Sequence, residues 1–338
     1  MSGAAGGTDL PRDRQPFRPR PGPPIRWAAD FGTRFTVFVD CEEEFDWYAP
    51  LDPARRATTA MQAFPDAHRR FAAAGVGLTC MIDHPIATDS LAVAILREVV
   101  ADGRSAIGAQ LHGWVNPPHD EVVSAYNSFA GNLPRAAEAA KIDALTAAII
   151  ESFGTHPLAF RAGRYGLGPH SWASLEAAGY RLSSSVRARY DYRAGGGPDY
   201  RTVGNEPWRE GALIELPLTT VFTGAARRGG ANLYRAAAML PRGRGVLARA
   251  GLLRRVALTP EDMPIADALE AVDVATGEGL RLLTFSFHSP SLVSGHTPYV
   301  RDAADLAAFW RWWAVMLAHL DRLGVRPVSL AEVLAAAM

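Results

Sequence analysis

From Thr33 onward, short apolar runs alternate with stretches in which apolar positions recur every three or four residues. Phe35 to Val39 is the first run, and a helical pattern follows at about Ala54 to Ala74. Val76 to Ile82 is the second run, and a helix at about Ser90 to Ala101 follows it. The alternation continues with a strand at Ser105 to Leu111, a helix at Pro134 to Phe153, a strand at Leu158 to Arg161, a helix at His170 to Ala178 and a strand at Tyr180 to Val186. Later runs at Leu213 to Leu216, Leu280 to Phe287 and Pro327 to Ser329 complete about seven or eight strands in repeated strand-helix units. That count favours a closed or nearly closed parallel barrel over an open sheet.

Three stretches fall outside this rhythm. Met1 to Gly32 holds Pro11, Pro16, Pro19, Pro21, Pro23 and Pro24, which oppose helix and ladder alike, and it reads as a disordered arm. Trp114 to Pro134 is a long loop rich in Asn, Pro and Gly, of the kind that is usually functional. The third stretch, at about 224–264, carries Arg227, Arg228, Arg235, Arg242, Arg244, Arg249, Arg254 and Arg255 against Glu261 and Asp262. It reads as a cationic insertion or lid, either a solvated helical face or a rim that attracts an anionic substrate or lipid headgroup.

The 338 residues suffice for one large α/β domain. Basic and acidic residues number 35 each, so overall charge gives no argument for a nucleic-acid partner or an anionic bilayer. Lys141 is the only lysine. Cys41 and Cys80 are too few for a disulfide scaffold and read as buried thiols, with Cys41 a secondary metal-ligand candidate beside an acidic cluster. No secretory signal is visible, and no stretch approaches the roughly 18 consecutive apolar residues of a membrane span. A soluble cytoplasmic protein without an integral membrane segment is the expectation. Phe309, Trp310, Trp312 and Trp313 recur at core-facing spacing on a helix from about Asp302 to Leu323, and they occupy enough of its circumference to suggest a homo-oligomer contact as well.

Chemistry-bearing residues sit where these runs end. In Asp40-Cys41-Glu42, strand alternation puts both carboxylates on one face, an arrangement suited to a base and a metal ligand. His112 follows the third strand, Arg161 ends another, and His288 follows Leu280 to Phe287 as a neutral imidazole suited to proton transfer. Parallel strands of barrels collect such residues at their C-terminal ends.

The order and spacing of Asp40-Cys41-Glu42-Glu43-Glu44-Phe45-Asp46-Trp47, Gln110-Leu111-His112 and Phe287-His288-Ser289-Pro290-Ser291-Leu292 resemble a divergent bacterial branch of the polysaccharide deacetylases, the carbohydrate esterases of NodB homology. The resemblance runs from about Thr36 to Leu330. It implies a distorted parallel (β/α)7-type barrel, a divalent metal that is usually zinc, and hydrolysis of an acetyl group, most often an N-acetyl amide, on a sugar or glycan. Residue by residue it implies Asp40 as catalytic base, Glu42 and His112 as metal ligands, Arg161 as the group that orients the base, and His288 as the acid.

Two departures stand out: Gln110 replaces a family histidine, and Ser183 stands where an Asp often precedes Ser-Ser. A catalytic zinc takes three protein ligands, so Asp83 or His84, at the end of the second strand, is the expected third. The alternatives are a metal-independent amide hydrolase that uses Asp40, Glu42 and His288 directly, and a catalytically silent carbohydrate-binding barrel. A cytoplasmic sugar intermediate, lipid-linked or nucleotide-linked, is the expected substrate.

Overall fold

A computed structural model describes residues 15–337. Its centre is a curled sheet of seven parallel strands, in spatial order Leu282–His288, Arg34–Cys41, Leu78–Ile82, Ala106–Leu111, Ala159–Ala162, Leu182–Ser183 and Leu213–Glu215. These elements follow in chain order. The strands are β1 (Arg34–Cys41), β2 (Leu78–Ile82), β3 (Ala106–Leu111), β4 (Ala159–Ala162), β5 (Leu182–Ser183), β6 (Trp208–Glu210), β7 (Leu213–Glu215), β8 (Thr220–Thr223), β9 (Arg254–Ala257), β10 (Leu282–His288) and β11 (Arg326–Pro327). The helices are α1 (Phe64–Ala73), α2 (His84–Thr88), α3 (Ser90–Val100), α4 (Arg135–Phe153), α5 (Ser171–Ala177), α6 (Gly230–Ala237), α7 (Gly243–Arg249), α8 (Ile265–Gly277), α9 (Ala303–Arg322) and α10 (Leu330–Ala336).

The parallel ladder bears out the barrel read from the sequence. Only β6 joins it antiparallel, on the edge of β7, while β11 adds a short parallel rung to the start of β1. Closure is incomplete. Between the end of β7 and β10 the ring is spanned by isolated bonds, Thr219 N–H to the Thr284 carbonyl at 3.3 Å and Ser286 N–H to the Leu258 carbonyl at 3.2 Å. This distorted closure leaves the residues after β7 free to pair as the β8–β9 hairpin ladder.

Strand alternation divides the core in two. Phe35, Val37, Val39 and Cys41 of β1 face outward into the layer of helices, with Phe71 and Trp313. Phe38 faces inward, where it joins Met81, Leu182, Leu216 and Leu282 to fill the barrel, and Phe31, Leu330 and Val333 close its lower end. Gly108 on β3 makes room for this interior, because a Cβ there would lie 2.5 Å from Met81 Sδ. Cys41 therefore packs among apolar groups away from Asp40 and Glu42, and burial pushes its thiol up; its place in the outer core removes it from the metal-ligand candidates.

Several boundaries differ from the sequence reading. The first helix begins at Phe64, after a 3-10 turn at Thr59–Ala63, and only Leu182–Ser183 of the expected 180–186 strand pairs as a ladder. Of the expected disordered arm, residues 1–14 lie outside the described residues, but the part from 15 to 32 is laid on the domain. Ile25 is buried and its N–H donates to the Pro207 carbonyl at 2.9 Å, Arg209 N–H donates to the Pro23 carbonyl at 2.9 Å, and Trp27 stacks on Phe31. Prolines bar a regular element there, but Pro23 and Ile25 bond the open edge at β6, and Trp27 and Phe31 pack beneath the barrel. The aromatic helix α9 buries Phe309, Trp312 and Trp313, and Arg70 lies 4.6 Å over Trp310, so these rings are engaged within the chain. Among the described residues, no helix is long and apolar enough to cross a membrane.

Candidate functional site

At the C-terminal ends of the strands lies a cavity of about 650 Å³, whose lining includes Asp40, Glu42, Gln110, His112, Arg161 and His288. Register brings them together. Asp40 on β1 sits beside His288 on β10, and Gln110 on β3 sits beside Arg161 on β4. Residues from four strands thus meet because parallel strands end at one rim.

Asp40 and Arg161 form a pair buried to 2% and 1% exposure. Arg161 donates through Nη1 to Asp40 Oδ1, through Nε to the Ser184 carbonyl at 3.0 Å and through Nη2 to Ser184 Oγ at 3.1 Å. The guanidinium is fixed at three points, so it fixes the carboxylate in turn. Ser183 instead bonds Ser185 Oγ at 2.9 Å and takes no part in this pair.

His288 faces Asp40 from the other side, with Nε2 3.7 Å from Oδ2. Its Nδ1 lies 2.7 Å from Glu261 Oε2, and its backbone N–H donates to Glu261 Oε1 at 3.0 Å. Burial opposes a charge on this ring, but Glu261, Glu42 and Asp40 outweigh it and raise His288 to about 10. These carboxylates favour the charged ring, the form able to donate a proton, where the sequence suggested a neutral imidazole. Glu261, correspondingly, is held below the ordinary carboxylate range; burial works against this, but His288 and Ser291 prevail.

A second chain of contacts runs from the cavity inward. His112 points Nε2 toward the cavity group, 3.6 Å from Glu42 Oε2, and its Nδ1 lies 2.8 Å from Glu43 Oε2. Trp114 stacks on the imidazole at 4.3 Å and donates from Nε1 to Glu43 Oε1 at 2.8 Å. The ring fits because Gly163 has no side chain; a Cβ there would lie 2.5 Å from His112 Cδ2. Behind them Asp83 accepts from Glu43 N–H at 2.7 Å and caps α2 by accepting from Ile86 N–H at 2.9 Å. Glu43, Asp83 and His112 form a buried group whose ligand atoms lie within 4.8 Å of one another, so it could hold a metal ion. Burial raises Glu43 to about 7 and lifts Asp83 well above the usual range, and the closeness of Glu43 adds to the rise at Asp83.

The cavity side offers another donor set. Gln110 Nε2 lies 3.0 Å from both Glu42 Oε2 and His112 Nε2. Glu42 Oε1 and Gln110 Oε1 are buried with no partner, and burial pushes Glu42 up to about 8. A buried, unsatisfied carboxylate oxygen beside an imidazole nitrogen whose far side is held by Glu43 fits a divalent cation, since ligating histidines commonly carry such a carboxylate behind them. An amide oxygen is a weak third donor for zinc and a better one for harder ions. Of the expected third ligands, Asp83 belongs to the inner group, while His84 opens α2 and makes none of these contacts.

Aromatic rings wall the cavity. Trp47 lies edge-on to His288 and to Tyr299, 5.4 Å from each, and Phe45, Trp114, Tyr165 and Tyr192 complete the wall. The long loop after β3 is fastened by Lys141. This buried side chain donates from Nζ to the carbonyls of Gly113, Asn116 and Pro118 at 2.9, 2.7 and 2.5 Å and pairs with Glu121 at 2.9 Å. Sequence reasoning missed Glu261, Glu43 and Lys141 as supports of the site. Glu261 carried a usable signal, because it stands three residues beyond the apolar run Val256-Ala257-Leu258, near a strand end as Asp40 is, but the surrounding arginines drew it into the insertion.

No family model matches the sequence, and no curated protein matches it significantly. Solved structures do resemble it. A Mycobacterium smegmatis protein provisionally named a polysaccharide deacetylase is similar at 16% identity over 94% of both chains, with a TM-score of 0.54. A provisionally named glycoside hydrolase/deacetylase from Parabacteroides distasonis is similar at 11% identity over 90% of this chain and 72% of its own, with a TM-score of 0.53. A 4-alpha-glucanotransferase from Thermococcus litoralis is similar at 11% identity over 90% of this chain and 40% of its own, with a TM-score of 0.51. At these identities the likeness establishes the fold.

Proposed function

We propose that the protein is a carbohydrate deacetylase that hydrolyses an acetyl group, most often an N-acetyl amide, on a sugar or glycan. The observation that carries this reading is the pair of oriented groups across one cavity: Asp40 clamped by Arg161 and His288 clamped by Glu261, 3.7 Å apart at their closest atoms. Fold likeness to proteins named as deacetylases adds support.

In this reading Asp40 takes the proton of the attacking water, and Arg161 keeps the carboxylate aimed at it. His288 donates a proton to the leaving amine from Nε2, while Glu261 holds Nδ1 and stabilises the charged ring. A base and acid so placed contribute roughly 10²- to 10⁴-fold. Glu42 and His112, with Gln110 as a weaker oxygen donor, would hold a divalent cation, zinc being the family's usual one. When bound, such an ion supplies Lewis acidity toward the acetyl carbonyl and lowers the pKa of water to about 7. Trp47 and Tyr299 offer apolar surface to a pyranose ring and exclude bulk water around the amide.

The test is acetate release from chito-oligosaccharides and from O-acetylated xylan, with parallel metal analysis and exhaustive chelation. Release that stops on chelation and returns with a divalent ion supports the reading; no release from any acetylated glycan under any metal condition overturns it. A second reading, metal-independent amide hydrolysis, is favoured by the Gln110 amide nitrogen, which already lies within hydrogen-bonding distance of both Glu42 and His112. Activity that survives chelation selects that reading.

A further inference from the structure

The cavity wall carries positive charge that the proposed acid-base pair does not use. Arg187 lines the same cavity as Asp40 and His288. Its guanidinium lies 4.0 Å from the Tyr190 ring centre and 5.7 Å from that of Tyr165. Its Nε and the Tyr192 hydroxyl are both buried without a well-formed hydrogen bond, and the two side chains interact with each other in the wall.

Arg187 is the inner end of a ladder. On the Tyr190 ring it is joined by Arg255, whose guanidinium carbon lies 3.7 Å from the same centre. Arg255 also stacks on Tyr234 at 5.0 Å, and Arg244 stacks on Tyr234 at 4.2 Å. Three guanidiniums and two phenol rings thus alternate from the cavity wall into the arginine-rich insertion, with Arg255 on β9, Tyr234 on α6 and Arg244 on α7.

The ladder has no close ion pair among the described residues. Among the described residues, no carboxylate lies within 4.0 Å of Arg187, Arg255 or Arg244, although Arg254 next door pairs with Asp267. Two acids nearby are committed elsewhere, Glu261 to His288 and Ser291, and Asp191 to Arg193 at 2.9 Å and to Arg201 at 3.7 Å, while Asp262 acts on Arg187 only through space, beyond ion-pair distance. Arg255 bonds only the Arg189 carbonyl, at 3.1 Å, and its buried Nε is also unpartnered. Aromatic faces stabilise these cations and fix the guanidinium planes while leaving their edges available, and the guanidinium edge is a fork that matches an oxyanion.

We propose that this ladder is a substrate subsite for an oxyanion, a phosphate or carboxylate carried by the sugar or by the group attached to it, with Arg187 making the contact nearest the reacting amide. The proposal deepens the deacetylase reading and rests on it for the identity of the amide. An anion at Arg187 sets the register of the glycan in the cavity. Arg255 and Arg244 extend the positive track outward and serve a second or multiply charged group.

Binding and turnover test this separately. Inorganic pyrophosphate and a glucuronate-containing oligosaccharide are titrated calorimetrically into the wild-type protein, Arg187→Met, Arg187→Lys and Arg255→Met. Acetate release is compared between neutral chitotetraose, N-acetylglucosamine 1-phosphate, UDP-N-acetylglucosamine and the glucuronate-containing oligosaccharide, and the preferred one identifies the source of the charge. The expected result is binding of at least one oxyanion probe, weakened about 10- to 100-fold in Arg187→Met and less in Arg187→Lys. Preference for the charged substrate over chitotetraose, read as the ratio of their kcat/KM values, falls to match. Absence of binding by both probes in the wild type, or equal loss of neutral and charged turnover in a folded Arg187→Met, overturns the subsite. If Arg187→Met fails to fold, unchanged oxyanion binding in Arg255→Met also overturns it, and weakened binding supports it. Oxyanion binding that depends on Arg187 in a protein releasing no acetate would instead sink the deacetylase reading and leave the anion site standing.

Discussion

Replacing Glu261 by Gln probes the charge state on which the proposed proton donor depends. Both carboxylate oxygens of Glu261 are engaged: Oε2 faces His288 Nδ1 at 2.7 Å, and Oε1 accepts from His288 N–H and from Ser291 Oγ at 2.6 Å. Gln keeps the volume and one acceptor but removes the charge. An opposite charge at this range moves a titration by about one to three pH units. Glu42 and Asp40 remain in the variant, so the loss should fall at the lower end, about one to two pH units or roughly 1.4 to 2.7 kcal/mol.

Because His288 is raised to about 10 from an ordinary 6.5, its contribution to stability is fully present below about 6.5 and is lost as pH rises toward 10. Glu261 is depressed from 4.5, so its contribution is present above that value and fades as pH falls below it. The difference in melting temperature between wild type and E261Q should therefore be largest near pH 6 to 7 and shrink toward pH 10. The alkaline limb of kcat/KM should move down by the one to two pH units, and an imidazole resonance assigned to His288 should titrate lower by the same interval. An unmoved limb together with a pH-independent melting difference would refute the coupling.

Three further outcomes follow from the geometry. Asp40→Asn should lower turnover by about 10²- to 10⁴-fold while glycan binding persists, as measured by acetate release and calorimetry; unchanged turnover would remove Asp40 as base. Gln110→His should tighten zinc by about tenfold or more in competition with a chromogenic chelator, by adding a strong third donor; equal affinity would place the cation elsewhere, with the inner Glu43, Asp83 and His112 group the next to examine. Lys141→Met should cost about 3 kcal/mol in urea unfolding, since it strands Glu121 and three carbonyls of the loop behind His112. A cost under about 1 kcal/mol would show that the loop is held by other contacts.

The alternation of apolar runs and helical patterns was enough to indicate a nearly closed parallel barrel, because a parallel strand-helix unit is built mostly from neighbours in sequence. It was also enough to put Asp40, Glu42, His112, Arg161 and His288 at one rim, since each directly follows or ends such a run. Strand alternation likewise placed Asp40 and Glu42 on one face and Cys41 on the other. The signal failed where element ends are set by distant contacts: residues 15 to 32 pack on the domain despite their prolines, with Pro23 and Ile25 bonded at the β6 edge, and the run at 180–186 pairs over only two residues.

What the tertiary structure alone decided is which neighbours each functional group keeps. Glu261 and His288 are 27 positions apart, Arg161 and Asp40 are 121 apart, and Glu43 and His112 are 69 apart. No periodicity encodes those pairings, yet they determine whether His288 carries a charge and which nitrogen of His112 is left to face the cavity. The arginines of the insertion make the same point. Composition revealed their number, but only folding set Arg187, Arg255 and Arg244 on shared aromatic rings and left them without close ion pairs, because burial and charge depend on what the whole chain brings to one place.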